Sequence, residues 1–147
     1  MKVFFNQLFD YNFYCNKKLI EACTALESVP RKSIALFSDV LNMHHIYNEY
    51  IGKGQPTYRL GQLHDLGTWG DLHYENQRNS FEITSATDDF DKRIDYEDAE
   101  GKLLIHTVQD LLFHIINESA YYRSLIEVDF KANGLEFFRT DYMTYKN

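Results

Sequence analysis

The stretch that decides the fold is FNQLFDYNFYCNKKLIEACTAL, Phe5 to Leu26. Its inward stripe runs Phe5, Leu8, Asn12, Cys15, Leu19, Ala22 and Leu26, in alternating steps of three and four residues. Side chains at those spacings share one face, so the pattern predicts an α-helix packed at a shallow angle against other helices. Pro30 ends the element, because the residue before a proline is pushed out of the helical region.

The same periodicity continues outward along the chain. Ser33 is placed to cap a second helix, whose stripe is Phe37, Val40, Leu41, His44, Tyr47, Asn48 and Ile51. Gly52, Gly54 and Pro56 stop it. Thr57 to Gly70 reads as loop with room for one helical turn, and Asp71 to Ser85 as a third helix on a weak stripe. The alternating runs Arg93 to Glu97 and Lys102 to His106, joined around Gly101, predict a small β-hairpin. Thr107 then caps a last long helix, with Asp110 near the positive end of its dipole. That helix has the stripe Val108, Leu112, Ile115, Ser119, Tyr122 and Ile126 and ends near Gly134. The aromatic tail, Leu135 to Tyr145, is expected to fold back. The reading is therefore all-α: an antiparallel four-helix bundle with a minor β-hairpin before the last long helix.

Composition sets the outer bounds. The chain has 147 residues, enough for a single domain over 1–147. Hydrophobic residues make up 44% and charged residues 25%, as in an ordinary globular protein. The formal net charge of −7 and the lack of a basic stripe argue against nucleic acid as a partner. No apolar run is long enough to span a membrane, and Asn6, Gln7 and Asp10 interrupt the N-terminal run that a secretory leader would need. Cys15 and Cys23 on one helix lie roughly 12 Å apart along its axis, too far for a disulfide, as expected in a reducing cytoplasm.

Polar residues set into apolar stripes carry whatever chemistry the chain has. His44 is flanked by Val40, Leu41, Tyr47 and Asn48 and points inward, with His45 at the edge of the same face. On the last helix, His114 and Glu118 are one turn apart. Glu118, among His114, Ile115, Tyr121 and Tyr122, would need a cation, a proton or donors if it were buried and ionised. Two imidazoles and a carboxylate suit Zn, Ni, Fe or Mn. The alternative is a hydrogen-bonded polar cluster without metal. Tyr11, Tyr14, Tyr121 and Tyr122 either line a pocket or pack as core. Arg123 is placed to pair with Glu127 or to reach Asp141. His64 and His73 flank Trp69 and read as exposed loop histidines, and His106 as a helper of the cap.

Two segments resemble a known family. LFDYNFYCNKKLIEA, Leu8 to Ala22, and LLFHIINESAYYRSLI, Leu111 to Ile126, are similar to the opening and signature helices of the DinB/YfiT-like superfamily of metalloenzymes. The hairpin ending in Gly101 and the closing NGLEFFRTDYMTY extend the likeness over nearly the whole chain, with its weakest part between Thr57 and Thr87. The resemblance implies a four-helix bundle, a homodimer, and one divalent metal held by three histidines. It places His44, or the adjacent His45, at the first ligand position, and Glu118 and Tyr122 at the other two. Ser124 and Leu125 stand where the signature has glycine and glutamine.

The metal motif is thus degraded, and His114 is the residue that could restore two histidines and a carboxylate, about 5 Å along the bundle. The expected metal set is His44, Glu118 and His114, with Tyr122, Tyr11 and Arg123 around a pocket. The resemblance further implies a metal-dependent enzyme of thiol-transferase or hydrolase type acting on a small molecule or thiol. The alternative is a bundle that has lost the ion and binds a small molecule or a partner.

Overall fold

A computed structural model describes all residues, 1–147. It is mostly helical, with one two-stranded antiparallel sheet. The long helices are α1 (Lys2–Thr24), α2 (Arg31–Gly52), α3 (Trp69–Ala86) and α4 (Val108–Ala132). Strands β1 (Arg93–Glu97) and β2 (Leu103–Thr107) form the hairpin before α4, and a short α5 (Tyr142–Lys146) lies in the tail. α1 packs chiefly on α3, and α2 chiefly on α4, while α2 also borders α3 and α1 borders α4. Each long helix therefore has two of the other three as neighbours. No helix is long and apolar enough to cross a membrane.

The elements form for the reasons legible in the chain, with several shifts. On α1 the buried face is Phe5, Phe9, Asn12, Cys15, Asn16, Leu19 and Cys23, so Leu8, Ala22 and Leu26 lie at its margin. Ser33 is not a cap: α2 starts two residues earlier, after Pro30, whose fixed φ suits a helix entry. The Ser33 hydroxyl instead donates to Asp129 Oδ2 of α4 at 2.7 Å. The loop after α2 contains one 3₁₀ turn, Leu66–Thr68, which runs into α3 two residues before the expected Asp71. β2 lies one residue later than its alternation indicates, pairing Ile94 with His106 and Tyr96 with Leu104. At α4 the cap is complete: Asp110 N donates to Thr107 Oγ1 at 3.0 Å, and Thr107 N donates to Asp110 Oδ2 at 3.3 Å. Gly134 follows the end of α4 with φ +71°, the left-handed conformation that glycine adopts at no steric cost. The tail folds back, and the rings of Tyr142 and Tyr145 meet Tyr11 of α1 edge-on at 5.1 and 5.5 Å.

The apolar interior is split in two. One cluster, including Phe5, Phe9, Met43, Ile94, Leu112 and Ile115, joins α1, α2 and α4 to the hairpin. The other, including Leu19, Phe37, Leu41, Trp69, Ile126 and Phe130, lies towards the tail. On α1 the buried Asn12 and Asn16 separate the two, and on α4 Ser119 and Arg123 do so.

The α4 cap supplies a first test. Thr107→Ala removes an acceptor for a helix-terminal N–H and should cost about 1 kcal/mol of unfolding free energy, read from urea denaturation. An unchanged midpoint would show that the capping box contributes nothing.

Candidate functional site

The layer between the apolar clusters is built largely from α3, the helix with the weakest stripe. Its buried residues are Trp69, His73, Asn76, Ser80 and Thr84, spaced at three and four residues, and after Trp69 all are polar. A stripe of that kind is a good helical face that carries almost no hydrophobic signal. His44 of α2 is 1% exposed, and its Nε2 lies 2.7 Å from Ser80 Oγ. Ser80 spends its single hydroxyl proton on Asn48 Oδ1 at 2.9 Å, so it must accept from His44 Nε2–H. That fixes the neutral tautomer with the proton on Nε2. Asn48 Nδ2 then donates to the Asn76 carbonyl, and Asn76 Nδ2 to the Leu41 carbonyl, both at 3.1 Å. The chain of bonds stitches α2 to α3 across two turns. Burial drives the His44 pKa down to about 3, with smaller contributions from His73 and His45.

His73 is not an exposed loop histidine. It is 2% exposed on α3, its Nε2 lies 3.3 Å from the Phe13 carbonyl, and its ring stacks on Phe13 at 4.6 Å. Desolvation lowers its pKa to about 4, opposed by the Phe13 carbonyl and assisted by the charge of Arg123. Arg123 pairs with neither Glu127 nor Asp141. Glu127 binds Lys131 at 2.7 Å and Asp141 binds Arg139 at 3.0 Å, both at the surface. Arg123 is fully buried, and its Nη1 donates to Asn12 Oδ1 at 2.7 Å and Asn16 Oδ1 at 2.8 Å. The guanidinium carbon lies 5.4 Å from the centre of the Tyr11 ring, within cation–π range. The Tyr11 hydroxyl donates to the Thr140 carbonyl in the tail, which also receives the Cys15 thiol at 3.7 Å. Both cysteines are free and buried.

The expected metal residues do not assemble. No group of three or more His, Cys, Asp and Glu side chains is placed to hold an ion. His44 commits Nε2 to α3, whereas His114 and Glu118 on α4 are only partly buried. The His114 ring packs at 4.7 Å against Tyr47. Glu118, only partly buried, keeps contact with water. Of the pocket residues, Tyr11 and Arg123 meet, while Tyr122 is partly buried against the tail-side apolar cluster. Tyr14 and Tyr121 lie largely exposed. His45 sits at the edge, where its Nε2 accepts from Thr57 N at 2.9 Å. His106 takes no part in the α4 cap, and its Nδ1 lies 2.7 Å from the Tyr96 hydroxyl.

A second feature has no counterpart in the sequence reading. A cleft of ≈ 810 Å³ opens between the C-terminal end of α2, the loop after it and the hairpin. Tyr47, Tyr50, Tyr58 and Tyr96 form its aromatic wall, with Lys53 and Arg59 on one side and Asp95, Glu97, Asp98 and Glu100 on the hairpin. Tyr50 stacks on Tyr96 at 4.5 Å. Burial, then Tyr47, Tyr50 and Asp98, push the Tyr96 pKa up to about 12, so its hydroxyl stays protonated at neutral pH. The residues come from two separate segments, 43–60 and 95–100, which is why no motif announced the cleft. No protein-family model matches the chain, and no curated protein matches it in sequence.

The buried imidazoles make stability pH-dependent in a stated direction. Above their ordinary value of 6.5, neither native nor unfolded chain protonates them, and their contribution is complete. Below it the unfolded chain takes up protons that the native protein refuses until about 4 at His73 and about 3 at His44, so stability falls across that window. Urea midpoints should therefore fall from pH 7 to pH 4, and the fall should be shallower in a His44→Gln/His73→Gln variant, although that variant is less stable at pH 7. Equal slopes in the two proteins would contradict burial of the rings.

Proposed function

We propose that the chain is a DinB-like antiparallel four-helix bundle that has exchanged the family's metal centre for a hydrogen-bonded polar layer. It works as a metal-free binding protein for a small molecule. The observation that carries this reading is the closed chain from His44 through Ser80 and Asn48 to Asn76. It commits Nε2 of the only inward-facing member of the expected ligand set to Ser80, while Nδ1, which carries the ring's lone pair, is buried without a partner. The residues present do not fit the implied ion, because His114 of α4 packs its ring on Tyr47 of α2, Glu118 is partly exposed, and no three His, Cys, Asp or Glu side chains converge around His44. The packing of α1 on α3 and α4, and of α2 on α3 and α4, supports the bundle. The tyrosine-walled cleft supplies a binding site of the size and mixed polarity that small ligands use. Pairing of two copies is part of the same proposal and draws support from exposed apolar side chains such as Phe4, Leu103, Ile105 and Phe113.

Metal analysis tests the reading. Protein incubated with Zn, Ni or Mn and then desalted should retain far less than one ion per chain, and a chelator should leave the melting temperature unchanged. Near-stoichiometric metal lost in His44→Ala, with a chelator-induced drop of several degrees, would restore the metal-dependent enzyme in its place.

A further inference from the structure

The least expected group in the interior is a cation without a counter-charge. Arg123 is fully buried, yet no carboxylate bonds it. Its only hydrogen bonds run from Nη1 to the side-chain carbonyls of Asn12 and Asn16. Nε and Nη2 are buried and find no acceptor on the protein. Those two nitrogens make up one edge of the planar guanidinium, the fork that matches the two oxygens of a carboxylate with parallel N–H···O bonds. The amide nitrogens of Asn12 and Asn16, turned away from the contacts their oxygens make, are likewise buried without acceptors. Unspent donors therefore outnumber unspent acceptors at this junction. A buried donor left unsatisfied destabilises the fold, and a charged one does so more strongly.

The side chains that touch Arg123 carry no negative charge. α1 presents Tyr11, Asn12, Cys15 and Asn16, and α3 presents His73, whose pKa the Arg123 charge lowers. The tail contributes the Thr140 carbonyl, already taken by Tyr11 and Cys15. Asp141, the nearest tail carboxylate along the chain, is exposed and bound to Arg139 and Thr144.

We infer that the free Nε/Nη2 edge of Arg123 is the binding site of a small carboxylate, which supplies the charge and the acceptors that the protein withholds. The site is separate from the tyrosine-walled cleft and goes beyond the proposal made for it. The tail closes it, since Tyr142 and Tyr145 pack on Tyr11 and Thr140 bonds Tyr11 and Cys15. A ligand reaching Arg123 from that side would displace these contacts.

Thermal unfolding with formate, acetate, chloride or phosphate at matched ionic strength tests the inference. Formate or acetate should raise the melting temperature saturably, by about 5–10 °C at a hundredfold excess over the dissociation constant, with chloride and phosphate smaller in effect. Asn16→Asp puts a carboxylate of the protein's own against Nη1 and neutralises the guanidinium, so it should raise the melting temperature without ligand and weaken the response to formate severalfold. Arg123→Lys keeps the charge without the fork and should lose the response. Identical effects of all four salts on the native protein would overturn the site, as would a formate response of undiminished size in Asn16→Asp. The Asn16→Asp arm decides the matter even if Arg123→Lys fails to fold.

Discussion

A polar layer laid across the interior of a small helical protein costs free energy wherever a member lacks a partner, as the free edge of Arg123 does here. That constraint organises this molecule. Two apolar clusters hold the helices together at either end, and between them His44, Asn48, Asn76 and Ser80 bond α2 to α3 while Arg123, Asn12 and Asn16 bond α4 to α1. The polar contacts thus join α2 to α3 and α4 to α1, the less closely packed pairs, while the main packing pairs α1 with α3 and α2 with α4. Greasy faces can slide by a turn at modest cost. A buried donor that misses its acceptor cannot, so the layer sets the register in which the clusters close.

What could be read from the chain followed from hydrophobic periodicity and local capping chemistry. The α1 seam, the stop at Gly52, the hairpin and the Thr107–Asp110 cap are all local patterns, and each appears in the structure within a residue or two. α3 was weak in the sequence for a physical reason: beyond Trp69 its inward face is His73, Asn76, Ser80 and Thr84, which a search for apolar spacing passes over. The same three- and four-residue steps, looked for among small polar residues, would have found it. His44 could be placed inside because apolar neighbours surround it in sequence. Its partner could not, because Ser80 lies thirty-six residues away on a helix whose stripe is weak. Arg123 was misplaced because Glu127 and Asp141 offered partners nearby in sequence, whereas the structure uses two asparagine oxygens over a hundred residues distant.

These substitutions of partner bear on how such a fold could change its chemistry. A metal centre in a helical interior needs lone pairs converging from several helices. Here the inward histidine meets a hydroxyl of α3, and the acid of α4, Glu118, lies on a partly exposed face. The cost is chemical: a histidine held neutral far below its ordinary pKa cannot shuttle protons near neutrality. What the architecture offers in exchange is a rigid frame beneath the tyrosine-walled cleft, whose wall includes Met43 and Tyr47, the immediate neighbours of His44 along α2 and one turn on.

Histidine-selective ¹⁵N NMR gives the most direct view of the layer. A ring whose Nε2–H is given to Ser80 predicts, for His44, the shift pattern of the neutral Nε2–H tautomer, constant from pH 8 to pH 5 and unmoved by added Zn. A His44 signal that titrates near 6.5, or that shifts at either nitrogen when Zn is added, would mean that the ring is not sealed in a hydrogen-bonded interior and that a proton or an ion completes it instead.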